Sequence, residues 1–295
     1  MSIIYSTDAD RHDKCLAPPV SQPPRKIELP AHSWDCHVHV FGPFSEYPLK
    51  SERGYTPPES MAESLLAHLH TLGLEYGVIV QPSVYGNDNS LITRVVRENS
   101  ERTRGVVVLR ADVDKNEIAH LHANGVRGFR INALFPGGAD MQSLERTAAI
   151  VADYGWHVQL LIDIRNLSQL SARLSQLPIP VVFDHMGHFP YELGIECPGF
   201  ELLLRHLDSG KTYVKLSGSY RMSSYSSHIT DVASIAGQLI AAAPERMVWG
   251  SDWPHVGLKS GMPSAADLLD GLCVWCPNAA IRQKILSINP LNIYF

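Results

Sequence analysis

The chain has 295 residues, 45% of them apolar and 19% charged, the balance of a soluble globular protein with a sizeable core. Its formal net charge of −5 gives no electrostatic footing for nucleic acid or an anionic membrane, so any anion it binds must be gripped locally. The length allows a single large α/β domain, since α/β barrels commonly run to about 250 residues as one unit.

Five cysteines (Cys15, Cys36, Cys197, Cys273 and Cys276) form an odd set without framework spacing, which suits reduced thiols and a cytoplasmic location. Cys273-Val274-Trp275-Cys276 has the C-x-x-C form but no second pair, and reads as packing near a helix end. No apolar run approaches the ~18 residues of a membrane span, and residues 1–30 lack the apolar core of a signal peptide.

Residues 1–30 carry Pro18, Pro19, Pro23, Pro24 and Pro30 and read as an extended N-terminal arm, leaving 31–295 as one domain. The stretch Ser33-Trp34-Asp35-Cys36-His37-Val38-His39-Val40-Phe41-Gly42-Pro43 follows. Strand side chains alternate with period two, so His37 and His39 share a face, where they can grip a metal or a polarised oxygen or sit as ordinary surface histidines. From Gly42 to Pro58, four prolines with Tyr47 and Tyr55 predict a long ordered loop.

An alternation of helical and strand patterns then runs through the chain. Helix 61–72 leads to strand 76–81, helix 89–99 to strand 105–109, helix 115–123 to strand 126–132, and helix 141–153 to strand 157–162. Helix 167–177 leads to strand 181–185, helix 199–207 to strand 213–217, and helix 231–243 to strand 247–250, with a last helical region over 265–286. Eight β/α units without a composition break predict one closed (β/α)8 TIM barrel, with an open doubly wound sheet as the alternative.

Barrel active sites are built at the C-terminal ends of the strands. There the sequence places His37 and His39 on strand 1, Ser83 past strand 2, and Arg130 with Asn132 on strand 4. Strand 6 ends in Asp184-His185-Met186-Gly187-His188, strand 7 leads to Lys215, Ser217, Tyr220 and Arg221, and strand 8 ends in Ser251-Asp252-Trp253-Pro254-His255. Histidines on strands 1 and 6 with an aspartate on strand 8 make a convergent set. Asp252 could otherwise be a helix N-cap before Trp253-Pro254.

The H-x-H of strand 1, the D-H-M-G of strand 6 and Trp249-Gly250-Ser251-Asp252-Trp253-Pro254-His255 resemble the amidohydrolase superfamily. Together with Val40-Phe41-Gly42-Pro43, Val78-Ile79-Val80-Gln81, Gly86-Asn87-Asp88-Asn89 and Asn289-Pro290, they resemble most its lactonase branch. That branch includes the 2-pyrone-4,6-dicarboxylate lactonases, and the D-galactarolactone isomerases are related to it. The resemblance runs from about Trp34 to the C-terminus and implies a hydrolase that opens a small anionic lactone.

Binuclear members of the superfamily draw a lysine or glutamate from strand 4 and a histidine from strand 5. Here strand 4 ends near Arg130 and Asn132 and strand 5 reads Gln159-Leu160-Leu161-Ile162, so neither ligand is offered. His37, His39, His185 and Asp252 could still hold one Zn²⁺. An arginine beside it and the metal-free chemistry of the pyrone-dicarboxylate branch favour a site that requires no cofactor. The resemblance then implies that the three histidines polarise the lactone carbonyl while Asp252 activates water as general base. With no G-x-S-x-G elbow, direct water attack is the simpler route.

Tyr55, Ser83, Arg130 and Arg221 match substrate-binding positions of the branch, and His188 and His255 join them as candidates. Three matching positions depart from it: His188 and Pro136 stand where the pyrone-dicarboxylate lactonases carry arginines, and Leu161 where they carry a tyrosine. Each hydrogen bond to a charged group is worth roughly 1.5–3 kcal/mol, so losing two guanidiniums disfavours the dicarboxylate and favours a muconolactone or a sugar-acid lactone. A sugar-lactone isomerase, a metal-dependent aromatic-acid decarboxylase and a non-catalytic binding protein are the alternatives. Release of CO₂ would mark the decarboxylase, and an inert Asp252→Asn the binding protein.

Overall fold

Short runs of valine, isoleucine and leucine, buried on both faces, make the eight strands that the sequence pattern predicts. The computed structural model describes residues 14–134, 141–223 and 226–295. The strands are β1 (Trp34–Val38), β2 (Tyr76–Val80), β3 (Thr103–Val107), β4 (Val126–Asn132), β5 (His157–Leu161), β6 (Val181–Phe183), β7 (Thr212–Leu216) and β8 (Met247–Trp249). They pair in parallel in chain order. The sheet closes on itself where the Asp252 N–H donates to the His37 carbonyl (2.8 Å) and the His39 N–H to the Trp253 carbonyl (2.9 Å). This is the expected (β/α)8 barrel.

The helices are α1 (Ala62–Leu72), α2 (Ser90–Glu98), α3 (Lys115–Ala123), α4 (Leu144–Val151), α5 (Ser171–Ser175), α6 (Pro198–Asp208), the short α7 (Ser219–Met222) and α8 (His228–Asp231), then α9 (Ala233–Ala242), α10 (Ala265–Trp275), α11 (Ala279–Gln283) and α12 (Asn289–Tyr294). The last helical region is broken where the sequence pattern runs on. Cys276 precedes Pro277 and leaves the helical conformation, and Asn278 restarts the helix by accepting the N–H groups of Ala280 (2.9 Å) and Ile281 (3.3 Å). Cys276 is buried at that break and all five cysteines are free, as the packing reading of C-x-x-C expects.

Two apolar layers follow from strand alternation. One side of each strand packs outward against the helices, as with Ile79, Val107, Phe129 and Leu160. The other packs within the barrel, as with Trp34, Cys36, Val78, Val80, Val106, Val182 and Val248. On β4 this inward set is Gly128, Arg130 and Asn132. A Cβ at Gly128 would lie 2.6 Å from the His157 ring, so the small residue low in β4 makes room for the imidazole of β5.

The chain from Lys14 to Pro30 crosses the barrel exterior with little regular structure. The Cys15 N–H donates to the Thr56 carbonyl (2.8 Å) and the Leu16 N–H to the Leu258 carbonyl (3.1 Å). Further on, Asp270 of α10 accepts the backbone N–H groups of Arg25 (2.9 Å), Lys26 (2.8 Å) and Ile27 (3.0 Å). A hydrogen bond to a charged acceptor contributes about 1.5–3 kcal/mol, so Asp270→Ala is expected to lower stability by about 2 kcal/mol or more. Denaturant unfolding and limited proteolysis check this, and unchanged stability with an equally protected arm would contradict it.

Candidate active site

Strand geometry decides which side chains meet at the barrel mouth. Along β1, Asp35 pairs with Gly77 and Val38 with Ile79, so three steps on β1 oppose two on β2. This one-residue bulge resets the alternation, and His37 turns inward beside Cys36 instead of following Asp35 outward. The period-two rule holds beyond it, and His37 and His39 share the inner face with ring centroids 5.0 Å apart.

Asp252 gathers the set. Its Oδ1 lies 3.5 Å from His39 Nε2 and 3.8 Å from His37 Nε2, and its Oδ2 lies 3.9 Å from His185 Nε2. Oδ2 also accepts hydrogen bonds from the Tyr220 hydroxyl (2.7 Å) and the Arg221 Nε (2.5 Å). Asp252 has a left-handed backbone (φ 65) and no helix follows it, so it is not an N-cap. Burial works against its charge, but the Arg221 guanidinium outweighs burial and holds the carboxyl well below the usual carboxylate range.

The second sides of the imidazoles fix their protons. His39 Nδ1 lies 2.7 Å from the Val80 carbonyl, which can only accept, so Nδ1 carries a proton and Nε2 is the nitrogen turned toward Asp252. Burial pushes His37 down to about 4 against the pull of Asp184, so its ring is neutral at pH 7. Its Nδ1 stands 3.3 Å from Asp184 Oδ1, which leaves a lone pair on Nε2. His185 Nδ1 meets the Ser217 hydroxyl at 2.9 Å, which can donate or accept, so this ring can carry its proton on either nitrogen. Burial holds His185 far below its ordinary pKa.

Sequence reasoning left Asp184, Gln159 and Lys215 without a role. Asp184 accepts from Arg130 Nη2 (3.1 Å) and Gln159 Nε2 (3.0 Å), and lies 3.8 Å from Lys215 Nζ. Lys215 donates to the Cys36 carbonyl and to Gln159 Oε1, each at 2.7 Å, and burial lowers it to about 8. The signal available was positional: a lysine and a glutamine on the inner faces of apolar strands need buried partners. Tyr220, named at the end of strand 7, gets no role from the sequence for the opposite reason, since a tyrosine near a strand end is common.

The substrate-binding candidates are placed unequally. Tyr55 hydrogen-bonds Ser83 and lies within electrostatic reach of Arg130 and Arg221, and burial raises its hydroxyl pKa. Arg130 Nη1 also reaches the Gln81 carbonyl (3.4 Å). His188 is buried in a left-handed conformation, its ring 6.1 Å from that of His185, and burial followed by Arg221 lowers it to about 4. His255 packs edge-on against Tyr220, with Nδ1 3.3 Å from the hydroxyl. Leu161 ends β5 and is buried. Pro136 lies outside the described residues. The Gly86-Asn87-Asp88-Asn89 stretch ties strand ends together: Gln81 Nε2 donates to the Asp88 carbonyl (2.6 Å), and Asn89 exchanges two hydrogen bonds with the Val108 backbone.

The donor set suits a cation. Among the described residues, ligand atoms of His37, His185 and Asp252 all lie within 4.8 Å of one another, with His39 beside them on Asp252 Oδ1. Nε2 of His37 is buried without a hydrogen-bond partner. The positive charge expected to oppose a metal is taken up elsewhere, because Arg130 pairs with Asp184. These residues therefore fit one divalent ion, with His37, His185 and Asp252 the tightest group.

An amidohydrolase family model matches residues 34–295. The chain is 34% identical to 4-sulfomuconolactone hydrolase of Hydrogenophaga intermedia over 287 residues, covering 95% of this chain and 94% of that one. It is 29% identical to D-galactarolactone isomerase of Agrobacterium fabrum over 270 residues, 90% and 92% of the two chains. The crystal structure of a probable 2-pyrone-4,6-dicarboxylic acid hydrolase from Acinetobacter baumannii, with citric acid bound, superposes with a TM-score of 0.80 at 26% identity, covering 89% of this chain and 99% of that one. Barrel, strand-end histidines and these likenesses agree: the chain belongs to the amidohydrolase family.

Proposed function

We propose that this protein hydrolyses the ester bond of a small anionic lactone by direct attack of water. One observation carries the reading: a buried carboxylate has one oxygen fixed by Tyr220 and Arg221, with His185 beside it, while the other faces the imidazoles of His37 and His39. Asp252 Oδ1 accepts the proton of the attacking water and returns it to the ring oxygen as the acyl–oxygen bond breaks. Tyr220 and Arg221 keep the carboxylate from rotating and keep it charged between turnovers. His185, with its proton on Nε2, is the imidazole able to donate to the carbonyl oxygen as it gains charge. His37 and His39, which turn Nε2 toward Asp252, would together with His185 and Asp252 hold a divalent cation such as Zn²⁺. Bound there, such an ion would polarise the carbonyl as a Lewis acid and acidify water.

The charges around the site bear on the substrate. Arg221 is engaged by Asp252 and Arg130 by Asp184, and His188 is neutral near pH 7. Fewer positive charges are therefore free for anionic groups than two unpaired arginines would give. This supports a muconolactone or a sugar-acid lactone over the pyrone dicarboxylate, with Tyr55, Ser83, Arg130, Arg221 and His188 around the anionic end. Free cysteines suit turnover in the cytoplasm. Among the described residues no helix is long and apolar enough to cross a membrane.

Likeness to a galactarolactone isomerase supports one second reading, acyl migration between hydroxyls of a sugar lactone with the same base. A ring-opened acid as the accumulating product marks hydrolysis, and an isomeric lactone without acid marks migration.

Asp252→Asn is expected to lower kcat by about 10²–10⁴-fold, the usual contribution of a positioned general base, with the far-UV circular dichroism unchanged. Steady-state kinetics on the best lactone check it, and kcat within threefold of wild type would remove Asp252 from the reaction. On a panel of lactones, kcat/KM for a muconolactone or an aldonolactone is expected to exceed that for pyrone dicarboxylate, and the reverse order would contradict the charge argument. Elemental analysis beside the assay of chelator-treated protein separates the two arrangements: turnover lost with the ion and restored on its readdition would assign carbonyl polarisation to a bound divalent ion. Full turnover by metal-free protein would leave the histidines as the polarising groups.

A further inference from the structure

Asp35 takes no part in the chemistry proposed above, yet it is fully buried two residues before His37. Its Oδ1 accepts the His37 N–H (3.1 Å) and the Ser251 N–H (2.9 Å). The first bond lies at the β1 bulge, where the extra residue takes the His37 N–H out of the regular ladder and leaves a buried donor that needs an acceptor. The second reaches across the seam to the residue before Asp252. One carboxylate oxygen therefore fixes the backbone that aims His37 and the backbone that aims Asp252.

The geometry around it is tight. A Cβ on Gly250 would lie 2.6 Å from His37 Cβ and 2.9 Å from His37 N, so the two backbones pass without room for a side chain between them. The seam bonds from Asp252 N to His37 O and from His39 N to Trp253 O flank the same point. Behind the carboxylate, His68 of α1 stacks on Trp253 with ring centroids 5.1 Å apart and places Nε2 3.9 Å from Asp35 Oδ2. The other ring nitrogen of His68 meets the Ser21 hydroxyl of the arm at 2.7 Å.

We infer that Asp35 is a positioning residue: as a double acceptor at the β1 bulge it sets the distance between His37 and Asp252, and so the rate of the chemical step. The acceptor oxygen carries this role, with charge secondary, because both donors are backbone amides. The kinetic part of the claim rests on the lactonase reading, and the structural part does not.

The test compares Asp35→Asn, which keeps an acceptor oxygen, with Asp35→Ala, which removes it. Misplacing a catalytic group by about 1 Å can cost about 10²-fold, so Asp35→Ala is expected to lower kcat by about that factor with KM within threefold of wild type. Asp35→Asn is expected to stay within about tenfold. Amide hydrogen exchange by NMR gives a readout that general loosening would not mimic: His37 and Ser251 are protected in wild type and Asp35→Asn and lose protection selectively in Asp35→Ala. Should the alanine variant not fold, Asp35→Ser, whose shorter side chain cannot reach both amides, takes its place. Equal losses of kcat in the asparagine and alanine variants, or unprotected His37 and Ser251 amides in wild type, would overturn the inference. Wild-type protein that opens no lactone defeats the lactonase reading alone, and the exchange pattern still decides the role of Asp35.

Discussion

Closure of the barrel between β1 and the chain leaving β8 is the constraint on which the site depends. Hydrogen bonds link Asp252 to His37 and His39 to Trp253 across this seam, so the groups proposed to do the chemistry are also the groups that shut the sheet. A parallel barrel can be closed only with a consistent stagger of its strands. The extra residue in β1 and the glycine at position 250 let the two chains pass closely enough for histidine and aspartate to share one space.

Charge is organised around the same seam. Asp184 and Asp252 are both buried, and each pairs with an arginine, Arg130 for the first, with Lys215 beside it, and Arg221 for the second. Buried charges are tolerated when paired and hydrogen-bonded, and removing one partner costs far more than the pair contributes. The imidazoles between these two carboxylates are pushed by burial toward the neutral form near pH 7. Asp184 and Lys215 thus shape the site from beneath it.

Much of this was legible in the sequence, because strand periodicity is a local signal. Eight apolar runs separated by helical patterns identified the strands, and knowing that barrel sites sit at strand ends selected His37, His39, His185 and Asp252 from many polar residues. The bulge in β1 was not legible, since one extra residue leaves the H-x-H spacing unchanged. Nor was the fate of the arginines. Arg130 pairs with a residue 54 positions away and Arg221 with one 31 positions away, so only the closed barrel reveals that carboxylates engage both. The break at Pro277 was written in the sequence, yet the apolar pattern on either side of it reads as one continuous helix.

Water activated by Asp252 is proposed to add to a lactone carbonyl. Hydrolysis in ¹⁸O-enriched water, with mass analysis of a single-turnover product, tests it most directly. A ring-opened acid carrying one ¹⁸O in its new carboxylate is expected. Unlabelled lactone isomer, or product released with CO₂, would contradict it.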